Sequence, residues 1–340
     1  MTEHSAKKNT ALRTALRVLL FLVCTIVSLV LVVLGAIFVL EKGPSPKATE
    51  TFCRSVRETS AIKWIANIYL SEEELTAMMT EEAPPIARTV DTSLVHIAES
   101  REESREEIEV IDIVDRTCKG KLMIVPDPKR VIVGTSDDLG HQAGLQLTEL
   151  VAKYGGIGGI NAGGFNDENG HGNGGIPQGM VITEGELVWG KEKSVYSVIG
   201  FDTDGVLHVG QMTAEEAIES GIVSAVSFDG IGASSALIVD GEVQTGNLVS
   251  GVNPRTAIGQ RADGAVLLLV LDGRSIRTLG ATLEDVCRIL LDYGAVNAGN
   301  LDGGSSTVMV YEGEIINVCA SVTGPRNIPT AFVVLGEDGA

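Results

Sequence analysis

Basic side chains are scarce in this chain: 26 Lys and Arg stand against 45 Asp and Glu, and the formal net charge is −19. A surface of that sign repels polyanions, so no nucleic-acid partner is expected. Metal-ligand spacing is also missing. Of five cysteines, Cys24 lies in an apolar run, and Cys53, Cys118, Cys287 and Cys319 form no C-x-x-C pair, so neither a metal framework nor a cofactor is indicated. One or two disulfides among those four stay open, with no connectivity set by spacing. Cys287 shares a helical apolar stripe with Leu283, Val286, Leu290 and Leu291, which reads as a buried free thiol.

Familiar catalytic and ligand signatures are absent too. There is no G-x-S-x-G elbow, and His141 and His171 have no obvious nucleophile beside them. The run 185–191 approaches a phosphate-binding P-loop, but Glu192 stands where Ser or Thr is required. Gly156 and Gly158 are followed by Asn161 where a dinucleotide fingerprint needs glycine. Asp167, Asn169 and His171 alternate like a calcium loop, yet the twelfth position is Gln178 and not a bidentate Glu. The 40 glycines follow no G-x-y period and come in clusters, which indicates turns and ligand loops and excludes collagen.

What is present begins with a hydrophobic run. Residues 18–40 contain no charged side chain, and 23 helical residues reach across a hydrocarbon core of roughly 30 Å. A cleaved signal peptide is the competing reading. Its apolar region is typically about 7 to 15 residues long, and no A-x-A-like site follows Leu40, so an anchor is expected. Lys7, Lys8, Arg13 and Arg17 precede the run, so 1–17 is read as a cytoplasmic tail, 18–40 as a single-pass anchor in the cell membrane, and the rest as extracellular. Residues 41–107 read as a linker and helical stalk. Pro44 and Pro46 mark a linker over 41–51, Ser71 with Glu72, Glu73 and Glu74 opens a helix that Pro84 and Pro85 stop, and the acidic run 99–109 is a solvated face.

From Ile108 the texture changes to short β-rich runs at 109–114, 121–125, 130–134, 180–183, 195–201 and 265–271. Asp204-Gly205, Asp240-Gly241, Asp263-Gly264 and Glu312-Gly313 read as tight hairpin turns. Helices are expected over 143–154 and 282–293, the second opened by Thr282 and Asp285. The implied fold class is α+β, a mixed, largely antiparallel β-sheet core with a few packed helices, preceded by one transmembrane helix and the stalk. A domain over 108–337 follows.

Four segments place polar side chains beside glycines at the ends of apolar runs: 160–179, 253–259, 272–274 and 300–307. Each alone reads as a turn. Together they put two carboxylates, Asp272 and Asp302, near Arg255 and Arg274, which suits a reaction at a sugar carbon that bears a phosphate. The stretch 195–254 holds eight acids and no Lys or Arg, whereas 255–277 holds four Arg against Asp263 and Asp272, so the locally basic stretch coincides with two of these segments.

In order, Ile-Asn-Ala-Gly-Gly-Phe (160–165), Pro177 to Gly179, Asn-Pro-Arg-Thr-Ala-Ile-Gly (253–259), Asp-Gly-Arg (272–274) and Asn-Leu-Asp-Gly-Gly-Ser-Ser (300–306) make the chain resemble the phosphodiester glycosidase family, also found as a domain of bacterial exopolysaccharide-associated proteins. The resemblance covers about 108–335. Many relatives carry a third glycine where Ser305 stands, and aromatic or acidic residues at Gly164 and Asn166. It implies hydrolysis at the anomeric carbon of a sugar linked through phosphate, in cell-wall or exopolysaccharide material, with a sugar-phosphate or polysaccharide substrate. Asp302 and Asp272 are then the catalytic carboxylates, with nucleophile and base unassigned. Arg255 and Arg274 hold phosphate, Thr256 belongs to the same binding segment, and Asn161, Asn300, Ser305 and Ser306 place hydroxyls and phosphate oxygens. Gly163, Gly179, Gly303 and Gly304 let backbone N–H groups approach the substrate. The alternative is a non-catalytic envelope polysaccharide-binding or scaffold protein.

Overall fold

The computed structural model describes residues 2–59, 61–79, 89–97, 107–167, 172–228, 235–275, 277–321 and 323–336. The apolar run lies within one long helix, α1 (Thr2–Lys42). Its stretch Leu12–Lys42 is long and apolar enough to cross a membrane. Only residues 43–45 separate it from α2 (Pro46–Arg57). The linker expected over 41–51 is therefore mostly helix. Ser45 caps it through Ala48 N, and Pro46 at the first turn starts a helix because its missing N–H has no intrahelical partner there. A short 3₁₀ turn (Lys63–Asn67) and α3 (Glu72–Met79) follow, α3 opened by reciprocal hydrogen bonds between Ser71 and Glu74. Cys53, Val56, Ala66, Leu70 and Leu75 form the small core that joins these pieces. Most of the acidic run lies outside the described residues.

Strands follow in the order β1 (Glu109–Val114), β2 (Lys119–Val125), β3 (Val131–Thr135), then α4 (Leu147–Lys153) and β4 (Gly156–Asn161). Next come β5 (Val181–Thr183), β6 (Glu186–Trp189), β7 (Val195–Asp202), β8 (Leu207–Thr213), α5 (Ala214–Glu219) and β9 (Ile222–Ser227). The chain continues with β10 (Ala236–Val239), β11 (Glu242–Val243), β12 (Arg255–Arg261), β13 (Val266–Leu271), α6 (Leu283–Asp292) and β14 (Ala295–Asn300). It closes with β15 (Met309–Tyr311), β16 (Glu314–Ile315) and β17 (Thr330–Leu335). Among the described residues the strands form three sheets, ordered β1-β2-β13-β12-β14-β10-β11, β16-β15-β4-β17-β3 and β6-β5-β9-β7-β8. Every pairing is antiparallel, as the α+β reading requires.

The four Asp-Gly or Glu-Gly turns all join paired strands, and Asp240 and Glu312 carry the positive φ (54° and 50°) that such turns need. Gln260 ties two of them together by accepting from Leu207 N and donating to the Gly205 and Gly264 carbonyls. The helix expected over 143–154 starts later because Leu145 pairs with Ile328 in an extended bridge. α6 keeps the expected Thr282–Asp285 cap.

One core lies where the three sheets meet, with Met123, Ile160, Ile199, Leu268 and Phe332 packed together. A second lies between the large sheet and α6, containing Leu267, Leu269, Val286 and Leu290. β13 (VLLLVL) contributes to both cores and is buried on both faces, which explains its unbroken apolar sequence. All five cysteines are free thiols. Burial pushes Cys287 up to about 12 and Cys118 up to about 11, so neither is a thiolate near neutral pH.

Candidate functional site

The ends of β13 and β14 and the start of β12 meet at one edge of the large sheet, because β12 is antiparallel to both neighbours. Asp272 follows β13, Arg255 opens β12, and Asp302 lies two residues past β14. The two aspartates follow strands that are two places apart in the sheet, with β12 between them.

Asp302 is half-buried. Burial pushes its carboxyl up to about 6, against the hydrogen bond from Ser306 and the attraction of Arg326, with the nearby Asp167 carboxylate adding to the rise and Gly303 N opposing it. Its backbone is held rigidly. Asp302 N donates to the Ala162 carbonyl, and Asn161 Nδ2 donates to the Asp302 carbonyl at 2.5 Å. Asn161 Oδ1 in turn accepts from Thr256 Oγ1 at 2.9 Å and Val308 N at 3.1 Å. Asn161 and Thr256, expected at the substrate, are therefore fully buried beneath Asp302 and spent on protein partners. Alternation along β12 is the reason: with Arg255 on the α6 side, Thr256 must point to the opposite face. Asn161→Ala removes three hydrogen bonds and leaves Val308 N and the Asp302 carbonyl without that partner, while Thr256 Oγ1 keeps Thr307 Oγ1; we expect it to cost about 3 kcal/mol in chemical denaturation.

Asp272 has different neighbours. Oδ1 accepts from Asn317 Nδ2 at 3.0 Å and Val318 N at 3.1 Å. Burial raises its pKa, while those two bonds and Lys121 lower it. Asn317 also donates to the Thr307 carbonyl and accepts from Met309 N, so Asp272 braces the segment that follows Asp302.

Arg255, buried, gives Nε to the Ala281 carbonyl and Nη2 to the Gly251 carbonyl and to Glu58 Oε2 at 2.8 Å. The Glu58 carboxylate also accepts from Gly251 N at 2.6 Å and Asn253 Nδ2 at 2.9 Å. A residue from the end of α2 thus occupies an anion cradle on the large sheet. The contact is close. A Cβ on Gly251 would lie 2.2 Å from Ser55 N, and Val252 N donates to Ser55 Oγ. Arg274, in the left-handed region at φ 55°, bonds Asn253 Oδ1 and gives Nη2 to Thr59 Oγ1 at 2.8 Å. Crowding by protein and by Arg255 lowers its pKa, and Glu58 and Asp302 raise it. A non-glycine residue at positive φ costs about 1–2 kcal/mol, which the bonds at its guanidinium offset.

Gly303 and Gly304 close the site between these arginines. A Cβ on Gly303 would lie 2.7 Å from the Pro254 carbonyl oxygen, and one on Gly304 (φ 63°) would lie 3.1 Å from the Arg274 guanidinium. Ser305 and Ser306 continue that turn, and the Ser305 carbonyl accepts from Cys319 Sγ. Asn300 shares the α6-side face with Arg255, since it pairs with Ala257. Its Oδ1 and the hydroxyl of Ser235, both buried, have no hydrogen-bond partner among the described residues. An unpaired buried acceptor suits a ligand O–H or N–H. Gly163 N bonds Thr330 Oγ1, and Gly179 (φ 74°) lies next to Met180, whose N bonds Ser227 Oγ. These two glycines border β9 and do not touch the arginines in any described contact.

Three groups at the site had no signal in the sequence. Glu58 and Thr59 come from the stalk, 197 and 215 residues before their partners Arg255 and Arg274. Arg326 grips Asp167 with two bonds of 2.6 and 2.7 Å, bonds the Gly172 carbonyl and covers the Phe165 ring at 4.9 Å. Asp167 is thus committed to an ion pair; Asn169 and His171 lie outside the described residues. No cluster of three metal-ligating side chains occurs among the described residues.

Comparison with known proteins agrees with this architecture. The chain is 32% identical over 170 residues to the SPbeta prophage-derived uncharacterized protein YomE of Bacillus subtilis, covering 46% of this chain and 24% of that protein. It is 29% identical over 151 residues to the N-acetylglucosamine-1-phosphodiester alpha-N-acetylglucosaminidase of Mus musculus, covering 40% of this chain and 29% of that protein. The chain therefore spans under a third of the length of either relative. Among solved structures, the zebrafish N-acetylglucosamine-1-phosphodiester alpha-N-acetylglucosaminidase catalytic domain, auto-inhibited by its pro-peptide, superposes with a TM-score of 0.55 at 22% identity, over 76% of this chain and 86% of that one. A family model described as phosphodiester glycosidase matches residues 154–335, more than half of the sequence and all four polar-glycine segments, and the chain belongs to that family.

Proposed function

We propose that the chain is a membrane-anchored hydrolase that cleaves a sugar-1-phosphodiester, with 18–40 crossing the membrane and 108–337 forming a catalytic domain on the outer side, at cell-wall or exopolysaccharide material. The observation that carries this reading is the placement of the Asp302 carboxyl in one glycine turn with Gly303 and Gly304, against which the Arg274 guanidinium packs, and burial there pushes that carboxyl up to about 6. A phosphate monoester departs without a strong acid, so the demand falls on a base. Asp302, mostly ionised above pH 6, takes a proton from water as the water oxygen attacks the anomeric carbon. The bond from that carbon to the phosphate oxygen breaks, and its electron pair leaves with the phosphate. Arg274, and Arg255 once Glu58 moves aside, neutralise that charge. Asn300, Ser305 and Ser306 orient the ligand and the carboxylate, and Asp272 positions the segment behind it.

Glu58 acts in this reading as an internal competitor for the phosphate. The zebrafish relative is described as auto-inhibited by its pro-peptide, and here a segment preceding the domain places a carboxylate on Arg255.

The test is release of phosphomonoester from UDP-N-acetylglucosamine and from model sugar phosphodiesters, by the whole chain and by its Glu58→Gln form. Arg274→Ala is expected to lower kcat/KM by about 30-fold, the loss of one charge-assisted phosphate contact. If the chain, Glu58→Gln and Asp302→Asn are equally inert toward the panel while the chain binds wall polymer, the hydrolase reading fails.

A further inference from the structure

We propose that the 62–69 segment is an interfacial seat, lying in the headgroup layer of the outer leaflet and holding the candidate site against the bilayer surface. This rests on the reading that α1 crosses the membrane.

Tyr69 is the first observation. Its N–H donates to Glu41 Oε2 at 2.9 Å, level with the end of α1, and its ring runs back along the helix. The ring meets Phe38 edge-on at 5.3 Å, and its hydroxyl donates to the Leu34 carbonyl at 3.3 Å. Leu34 lies six residues inside Leu40, the last residue of the apolar run, so the ring descends about 9 Å along a segment that would be in lipid. A tyrosine with its backbone at the polar boundary and its ring in the apolar layer matches the aromatic belt of membrane proteins.

The turn just before Tyr69 supplies the second observation. Trp64 is 62% exposed and Ile62 40% exposed, with the exposed Lys63 between them and Ile65 and Ile68 half-buried. Ile62, Trp64 and Ile68 take no part in the small core of α2 and α3, whereas Ile65 packs against it and Ala66 and Leu70 belong to it. An indole, isoleucines and one lysine, within seven residues of a tyrosine tied to the end of α1, are what a headgroup layer accommodates.

The third observation is the link to the site. Ile62 N donates to the Thr59 carbonyl at 3.0 Å, and Thr59 Oγ1 accepts from Arg274. The Ile62–Thr59 bond ties the start of the apolar tip to the residue that meets Arg274, so seating the tip sets the height of Arg274 above the membrane.

The full-length chain carrying Trp189→Phe has Trp64 as its lone indole, since the sequence has two tryptophans. In vesicles of phosphatidylcholine and phosphatidylglycerol, Trp64 emission should be blue-shifted from that of free indole in water. It should be quenched at least about twofold more by lipids brominated near the headgroup than by aqueous iodide. In parallel, a membrane-impermeant maleimide reports on Cys24, in the middle of α1. Cys24 should stay unlabelled. If Cys24 is protected while iodide quenches Trp64 as it quenches free indole and brominated lipid does not, the seat is refuted and the spanning helix stands. If Cys24 is labelled from the aqueous side, the spanning reading falls and the seat with it.

Discussion

Asp302→Asn is expected to lower kcat by about 10³- to 10⁴-fold, at the upper end for loss of a positioned base, while making the folded protein more stable at pH 7.5. The carboxyl has a pKa of about 6 in the native state against an ordinary value of 3.8. Between pH 4 and 6 the folded chain therefore keeps a proton that the unfolded chain releases, and stability declines as pH rises through that window. Asparagine does not titrate. The variant should lose that decline and gain on the order of 2 kcal/mol at pH 7.5, with no gain below pH 4. Thermal unfolding from pH 3.5 to 8 checks the sign. For the active chain, kcat should fall below pH 6 as Asp302 is protonated.

Glu58→Ala should cost about 3–5 kcal/mol, because it leaves the buried Arg255 guanidinium without its carboxylate. Inorganic phosphate at millimolar concentration should restore part of the lost melting temperature, since Gly251 N, Asn253 Nδ2 and Arg255 Nη2 are then open to an anion. The unaltered chain should not respond. Equal stabilisation of both by phosphate would show that the anion binds elsewhere. Glu58→Gln keeps the shape, loses the charge and should raise turnover at subsaturating substrate, because a neutral amide competes less well for Arg255.

The hairpin turns were readable because Asp240, Glu312 and their glycines satisfy a purely local demand for positive φ. β13 was readable for a similar reason, since a strand covered on both faces shows as an unbroken apolar run. α6 announced its start with Thr282 and Asp285. The anchor-to-stalk junction was misread because Pro46, taken as a breaker, sits at the first turn, where proline is compatible with a helix. Within the candidate site, several motif positions converge on one end of β12, β13 and β14, and the motifs could not distinguish exposed from buried members. Asn161 and Thr256 belong to the same segments as Gly163 and Arg255, and only strand phase relative to the other sheets sends them inward. Glu58 and Arg326 were illegible, because their partners are 197 and 159 residues away and nothing local in the sequence requires them.

On the proposed reading, in which α1 crosses the membrane and the domain is a hydrolase, the three residues between α1 and α2 bear on how it would meet its substrate. A spacer of that length, followed by a helix clamped to the domain through Ser55 and Glu58, gives the domain no working radius. It cannot sweep outward to polymer held far from the lipid, so encounters take place in a thin layer and depend on lateral diffusion. Its turnover should then scale with the number of substrate molecules per unit of membrane area, and diluting the membranes at constant surface density should leave it unchanged.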